Sequence, residues 1–253
     1  MMPFHRRASH ERRWRPEQAL LPHISFEDRL VHIRNVRDFI FHSPEDYTPG
    51  YRNNTYHLDR LERVWFVLAP FTRDWRGLAH SFLSFGFSDA QYISISVEAR
   101  REAGQRYSLL KGALRQYELM YVIGEERDLI GLRAVTWDTP VYLYPMRATA
   151  EQAQGVFLGM LRRAQKLEQR KEFYNTFTNN CTTNILQAVN AIAAPPIPFG
   201  LKILLPGYSD ALAHERGLID TELSLKAARA SFLINARAKA AIGQPDFSCR
   251  IRG

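Results

Sequence analysis

Ala79-His-Ser-Phe-Leu-Ser-Phe-Gly-Phe87, Ser88-Asp-Ala90 and Gln91-Tyr-Ile-Ser-Ile-Ser-Val-Glu-Ala-Arg100 together form the stretch from which the fold is read. In the second arm Tyr92, Ser94, Ser96 and Glu98 share one parity, and Ile93, Ile95 and Val97 the other. That period of two places alternate side chains on opposite faces of a strand. With a short polar connection at Ser88, Asp89 and Ala90, the two arms read as a β-hairpin. Closed there, opposed positions carry numbers that sum to about 178, which sets Glu98 across from His80. A slip of one residue would put Ala99 in that place and turn Glu98 to the other face.

Further strands flank the hairpin. Leu30 to Phe41 is extended and interleaved with charge, Val64 to Leu68 is a wholly apolar interior strand stopped by Pro70, and Tyr117 to Ile123 and Val141 to Tyr144 add two more. A charged separator containing Glu125, Glu126 and Arg127 divides the last two. Helical spacing begins after Thr149, a residue suited to an N-cap, and runs through Phe157, Leu158, Leu161, Ala164 and Leu167. A second helix opens near Asn180, carries Ile185, Leu186, Val189 and Ile192 on one face, and is ended by Pro195, Pro196 and Pro198. Shorter helices are predicted over 209–216 and 223–240. No low-complexity linker interrupts this series, so it reads as a single α+β domain over residues 25–240. A basic flexible tail (1–24) with Arg6, Arg7, Arg12, Arg13 and Arg15 precedes it, and a C-terminal tail (241–253) follows.

The chain has 253 residues, 45% hydrophobic and 24% charged, the balance of a globular protein. Its net charge of +8 calls for an anionic partner. No aromatic RNA-binding strand, zinc finger or spaced recognition helix accompanies that charge, so nucleic acid is not expected. The longest apolar run, Val64 to Pro70, is far short of a membrane span, and the N-terminus is Arg- and His-rich where a signal peptide is apolar. Two cysteines, Cys181 and Cys249, exclude a disulfide scaffold and a four-cysteine zinc site. No His-Glu-x-x-His helix, Walker A loop or Gly-x-Gly-x-x-Gly turn occurs, so neither a metal nor another cofactor is expected.

The densest polar segment is Phe173-Tyr-Asn-Thr-Phe-Thr-Asn-Asn-Cys-Thr-Thr-Asn184. If Asn180 or Thr178 caps the helix that follows, Cys181 lies in its first turn, where open N–H groups and the helix dipole favour negative charge on the sulfur or on an oxyanion. Cys181 is then a nucleophile; equally, a cysteine there is a small buried apolar residue. Of eight histidines, His5 and His10 belong to the tail, and His23, His42 and His57 have polar, turn-like surroundings. His32 and His214 lack companions. His80 opens a rigid strand, a placement that suits a general base as well as a hydrogen-bonded structural histidine. Glu98 is the candidate to orient its imidazole. Arg100 and Arg101 either pair with Glu98, hold an anionic head group or stay solvated.

Tyr56-His-Leu-Asp-Arg-Leu61, the Ala79–Phe87 strand, Ser96-Val-Glu-Ala-Arg100, Gln116-Tyr-Glu-Leu119 and the two runs Phe173-Tyr-Asn-Thr176 and Asn180-Cys-Thr-Thr183 together resemble the Lnb N-terminal periplasmic domain family, over roughly Leu30 to Ala238. The resemblance implies a permuted papain-like (NlpC-type) domain in which the histidine strand precedes the cysteine helix, with an antiparallel sheet and the nucleophile at a helix N-terminus. It implies Cys181 as nucleophile, His80 as base and Glu98 as orienting group, with Tyr174 and Asn180 lining the site; Arg100 is placed on the substrate side by its charge, as a contact for an anionic head group. The implied reaction is thiol-dependent acyl transfer from a phospholipid to an amine such as a lipoprotein N-terminus, at the periplasmic face of the inner membrane with peripheral membrane contact. A cysteine peptidase or amidase acting on cell-wall peptides and a non-catalytic binding domain are the alternatives.

Overall fold

A computed structural model describes Ala8, Ser9 and residues 11–253. Its strands are β1 (His23–Glu27), β2 (Leu30–Arg37), β3 (Ile40–Phe41), β4 (Tyr47–Thr48), β5 (Tyr51–His57), β6 (Leu61–Pro70), β7 (Ala79–Phe87), β8 (Tyr92–Arg100), β9 (Glu118–Gly124) and β10 (Tyr142–Pro145). Its helices are α1 (Leu109–Ala113), α2 (Glu126–Gly131), α3 (Ala150–Gln169), α4 (Cys181–Asn190), α5 (Leu201–Leu204), α6 (Ser209–Glu215), α7 (Leu225–Phe232), α8 (Asn235–Ala241) and α9 (Phe247–Arg250). The main sheet runs β1-β2-β9-β8-β7-β6-β10, with β5 also on β2, and every pairing is antiparallel except the single β2–β9 bridge. The fold is therefore α+β on an antiparallel-dominant sheet.

The hairpin forms as read, with Phe82 opposite Ser96 and Leu83 opposite Ile95. Because both faces of the sheet are covered, β6 to β9 are almost wholly buried. On one face Leu83, Phe85, Ile93, Ile95 and Val97 pack with Val156, Phe157 and Met160 of α3 and Ile185 of α4. On the other, Phe82, Met120 and Val122 pack with Leu129 and Ile130 of α2, Ala238 and Ala241 of α8, and Phe247 and Ile251. Thr149 caps α3 in a capping box closed by Gln152.

The charged separator packs inward: Glu126 is fully buried at the start of α2, held by Arg252 at 2.6 Å and by Ser84. Three expectations need correction. The helix expected over 223–240 is two helices, α7 and α8, broken at Leu233 and Ile234. Residues 241–253 are no loose tail, since Phe247 of α9 and Ile251 just beyond it are buried, and Arg252 lies 4.0 Å from the Trp65 ring centre. The stretch from Glu11 to Pro22 is packed rather than flexible. Trp14 lies under the Arg100 guanidinium at 4.2 Å, Gln18 is buried, Arg12 pairs with Glu102 and Arg15 with Glu17. Arg6, Arg7, His5 and His10 lie outside the described residues.

Candidate active site

The asparagine-rich segment before α4 is a hydrogen-bonded frame. Asn175 Oδ1 accepts from the N–H groups of Phe177 and Thr178, while Asn175 and Asn179 exchange backbone bonds. Asn180 is the N-cap: its Oδ1 accepts from Thr183 N–H at 2.9 Å, and Thr183 Oγ1 accepts from Asn180 N–H at 2.9 Å. Asn184 reaches back to Asn179 and accepts from the Tyr121 hydroxyl. This frame fixes Cys181 as the first residue of α4, buried to 5% exposure. As in any helix, the N–H groups of its first two residues, Cys181 and Thr182, have no acceptor within the helix. They are donors available to an oxyanion.

His80 is held through its Nε2. Its Nε2 lies 2.7 Å from Ser96 Oγ, whose hydroxyl lies 3.0 Å from Glu98 Oε1. Glu98 also accepts from Arg133 Nη2 at 3.1 Å and from Gln18 Nε2 at 3.3 Å. Burial works against charge on Glu98, but the Arg133 guanidinium, helped by Arg37 and Arg101, outweighs it and holds the carboxyl at about 2. An ionised carboxylate only accepts, so the Ser96 hydroxyl donates to it and its oxygen must accept from His80 Nε2–H. The tautomer follows: the basic lone pair is on Nδ1, which makes no hydrogen bond among the described residues. Burial, reinforced by the Arg133 cation and opposed by Glu98, lowers the His80 imidazole to about 3, so it is neutral at pH 7.

The β7–β8 ladder ends at Phe82–Ser96. Beyond it β7 stays with β6, through His80–Ala69, and β8 stays with β9, through Glu98–Met120. The two strands part, and a cavity of about 380 Å³ opens in the gap, walled by Ala79, His80, Val97, Glu98 and Ala99. Cys181, Asn180 and Tyr174 line it from the α4 face, and Arg133, Trp137, Phe71, Leu109 and Leu204 also form part of the wall. His80 stacks on Phe82, which belongs to the α2 and α8 face, whereas Cys181 belongs to the α3 and α4 face. The two candidate residues thus come from opposite faces of the sheet and meet in the cavity between the parted strands. No hydrogen bond joins them; the Cys181 Sγ partner is Thr182 Oγ1 at 3.7 Å.

The register of the hairpin is as expected, but Glu98 does not face His80 directly. The carboxylate stands 3.9 Å from Nε2 and reaches it through Ser96. Tyr174, with its hydroxyl 3.4 Å from that of Tyr107, has its ionisation pushed up by burial and by the neighbouring thiol. Arg100 is not on the substrate side. It is buried, donates to the carbonyls of Gln18 and Ala19, stacks on Trp14, and is lowered to about 10 by desolvation. Its neighbour Arg101 lines the cavity instead. Gln18, Ser96 and Arg133 were not singled out from sequence. Only Ser96 left a signal there, the shared parity with Glu98.

Fold and site together define an α+β domain with a cysteine and a histidine in one cavity at the end of its sheet. The sequence pattern of the Lnb N-terminal periplasmic domain matches residues 47–206, more than half of the chain, and the protein belongs to that family. No curated protein and no solved structure matches. The family name is that of a periplasmic domain, and among the described residues no helix is long and apolar enough to cross a membrane.

Proposed function

We propose that the domain is a thiol-dependent acyltransferase of permuted papain-like type, acting at the periplasmic face of the inner membrane with a phospholipid as acyl donor and an amine, such as a lipoprotein N-terminus, as acceptor. The observation that carries this is the cavity: a cysteine at a helix N-terminus and a histidine hydrogen-bonded through Ser96 share it, and much of its wall is apolar. The histidine strand preceding the cysteine helix in the chain is consistent with the permuted order. Apolar walls such as Phe71, Leu109, Trp137 and Leu204 suit a fatty acyl ester better than a cell-wall peptide.

Nδ1 of His80 takes the thiol proton, directly or across one water. Sγ of Cys181 forms a bond to the ester carbonyl carbon, and the Cys181 and Thr182 N–H groups receive the oxyanion. The ester C–O bond breaks, and the proton on His80 passes to the departing alcohol oxygen. An amine then attacks the thioester, the C–S bond breaks, and the amine proton returns through His80 to sulfur. A neutral imidazole lowered to about 3 acts here as a proton acceptor during attack rather than as a standing imidazolium.

The test is intact-mass analysis after incubation with phosphatidylglycerol or phosphatidylethanolamine vesicles. The expected result is one acyl chain on Cys181, removed by hydroxylamine and absent from Cys181→Ala and His80→Ala. Cleavage of a cell-wall peptide in lipid-free buffer without acyl-enzyme would overturn it in favour of an amidase. Inertness in both arms would leave a binding domain.

A further inference from the structure

We propose that the rim of the Cys181 cavity is a lipid-docking surface that seats the mouth against a bilayer bearing anionic head groups. Bilayer binding asks no chemistry of Cys181, so it goes beyond the acyl-transfer proposal. Three stretches pass from the cavity wall to an exposed apolar tip within about five residues: Leu109 to Leu110 and Leu114, Thr176 to Phe177, and Leu204 to Leu201 and Phe199. Leu110 is 69% exposed and Leu201 76%. Trp75, in the β6–β7 loop that begins with the wall residue Phe71, adds a fourth.

Hydrogen bonds join these stretches in two pairs, and the Phe71 ring, 6.4 Å from that of Tyr107, links the pairs. Thr176 Oγ1 donates to Leu109 O, Asn175 Nδ2 to Ala113 O, and Gly207 N–H to Gly77 O. So many large apolar side chains gathered round one opening mark an interaction site, since scattered single ones are the norm on a soluble surface.

Charge selects the occupant. Residues 103–117 carry Arg106, Lys111 and Arg115 and no carboxylate, whereas the one cation of residues 173–208, Lys202, is neutralised by Glu215. Arg106, Lys111 and Arg115 are exposed and make no ion pair among the described residues. Apolar tips beside unneutralised cations are the composition of an interfacial anchor on anionic lipid. A two-fold pairing with a second copy of the chain would set these same cations against one another, which disfavours it.

The experiment is co-sedimentation of the full chain with vesicles of phosphatidylglycerol and phosphatidylcholine, and with phosphatidylcholine alone, read beside molar mass in solution. The expected result is binding to the anionic vesicles that weakens with salt. Leu110→Ser/Leu114→Ser/Leu201→Ser should lower it roughly tenfold or more, and Lys111→Glu/Arg115→Glu should remove its anionic preference. Leu223→Ser, at an exposed residue that does not line the cavity, should leave it unchanged. Thermal melts of each variant distinguish a lost surface from a lost fold. Equal partition of the triple variant and the wild type would overturn the proposal, as would a dimer that the triple variant dissolves while no form binds vesicles. Failure to form an acyl-enzyme would leave vesicle binding intact, so the two proposals fail separately.

Discussion

The hydroxyls of Ser81 and Thr182 meet at 3.1 Å in the interior, each one residue past a candidate catalytic side chain. This bond ties the strand that carries His80 to the helix that begins with Cys181, although those two side chains make no bond to each other.

Ser81→Ala should destabilise the domain by about 1–2 kcal/mol, because the buried Thr182 hydroxyl loses a partner. Ser81→Ala/Thr182→Val should lose less than the sum of the single changes, since neither side then keeps an unmatched hydroxyl. Urea melts of the four forms provide the cycle. Strict additivity would mean that the two hydroxyls do not interact.

Ser96→Ala should leave the fold intact and release the imidazole tautomer. In the wild type, long-range proton–nitrogen spectra should show His80 protonated on Nε2. In Ser96→Ala the two tautomers should mix, and acyl-enzyme formation should slow by roughly tenfold to a hundredfold. An unchanged tautomer would show that Ser96 does not carry the link to Glu98.

Acid stability follows from two depressed groups. Between the ordinary histidine value of 6.5 and about 3, the unfolded chain takes up a proton that buried His80 refuses, so stability falls as pH drops through that window. Between 4.5 and about 2 the unfolded chain likewise protonates Glu98 first, with the same sign. The wild type should therefore lose stability steadily below pH 6.5, by an amount on the order of 4 kcal/mol from His80 at full effect. His80→Gln keeps a donor for Ser96 and removes the first window, so its denaturant midpoint should be flatter between pH 6.5 and 4.5. Parallel curves for the two proteins would contradict the depressed imidazole.

Arg133→Met should be the most damaging single change near the site, at about 3–5 kcal/mol, because it leaves the Glu98 carboxylate buried without its cation. It should also raise the His80 pKa, since Arg133 is one of the two influences that lower it. A calorimetric melt and an NMR pH titration of the imidazole check the two effects. Arg133→Lys should restore charge while losing the stacking of the guanidinium over Phe82, and so recover only part of the stability.

Much of this arrangement was written locally in the chain. The period-two pattern and a short polar turn fixed the register that pairs Phe82 with Ser96, and asparagine before a helical period placed Cys181 at the start of α4. The relay from His80 to Glu98 was not legible, because the strands separate just beyond Ser96 and hairpin arithmetic assumes that they do not. Arg133 was hidden for a different reason. It lies in a stretch whose charges look solvated, and only the burial of Leu129 and Ile130 against the sheet carries it inward. Trp14 and Gln18 are isolated anchors with no periodic company, so nothing local distinguishes them from a loose tail.

Strands β1 and β2 have a consequence for any attempt to work with the matched span alone. Residues 47–206 omit both, yet β2 is the sheet partner of β5 and the neighbour of β9. A fragment trimmed to those limits would present two raw rows of amide and carbonyl groups, and Glu98 would lose Gln18. Such edges recruit strands from other molecules, so the trimmed protein should precipitate or form fibrous aggregates. The stretch that carries the family pattern is therefore smaller than the stretch that the sheet needs.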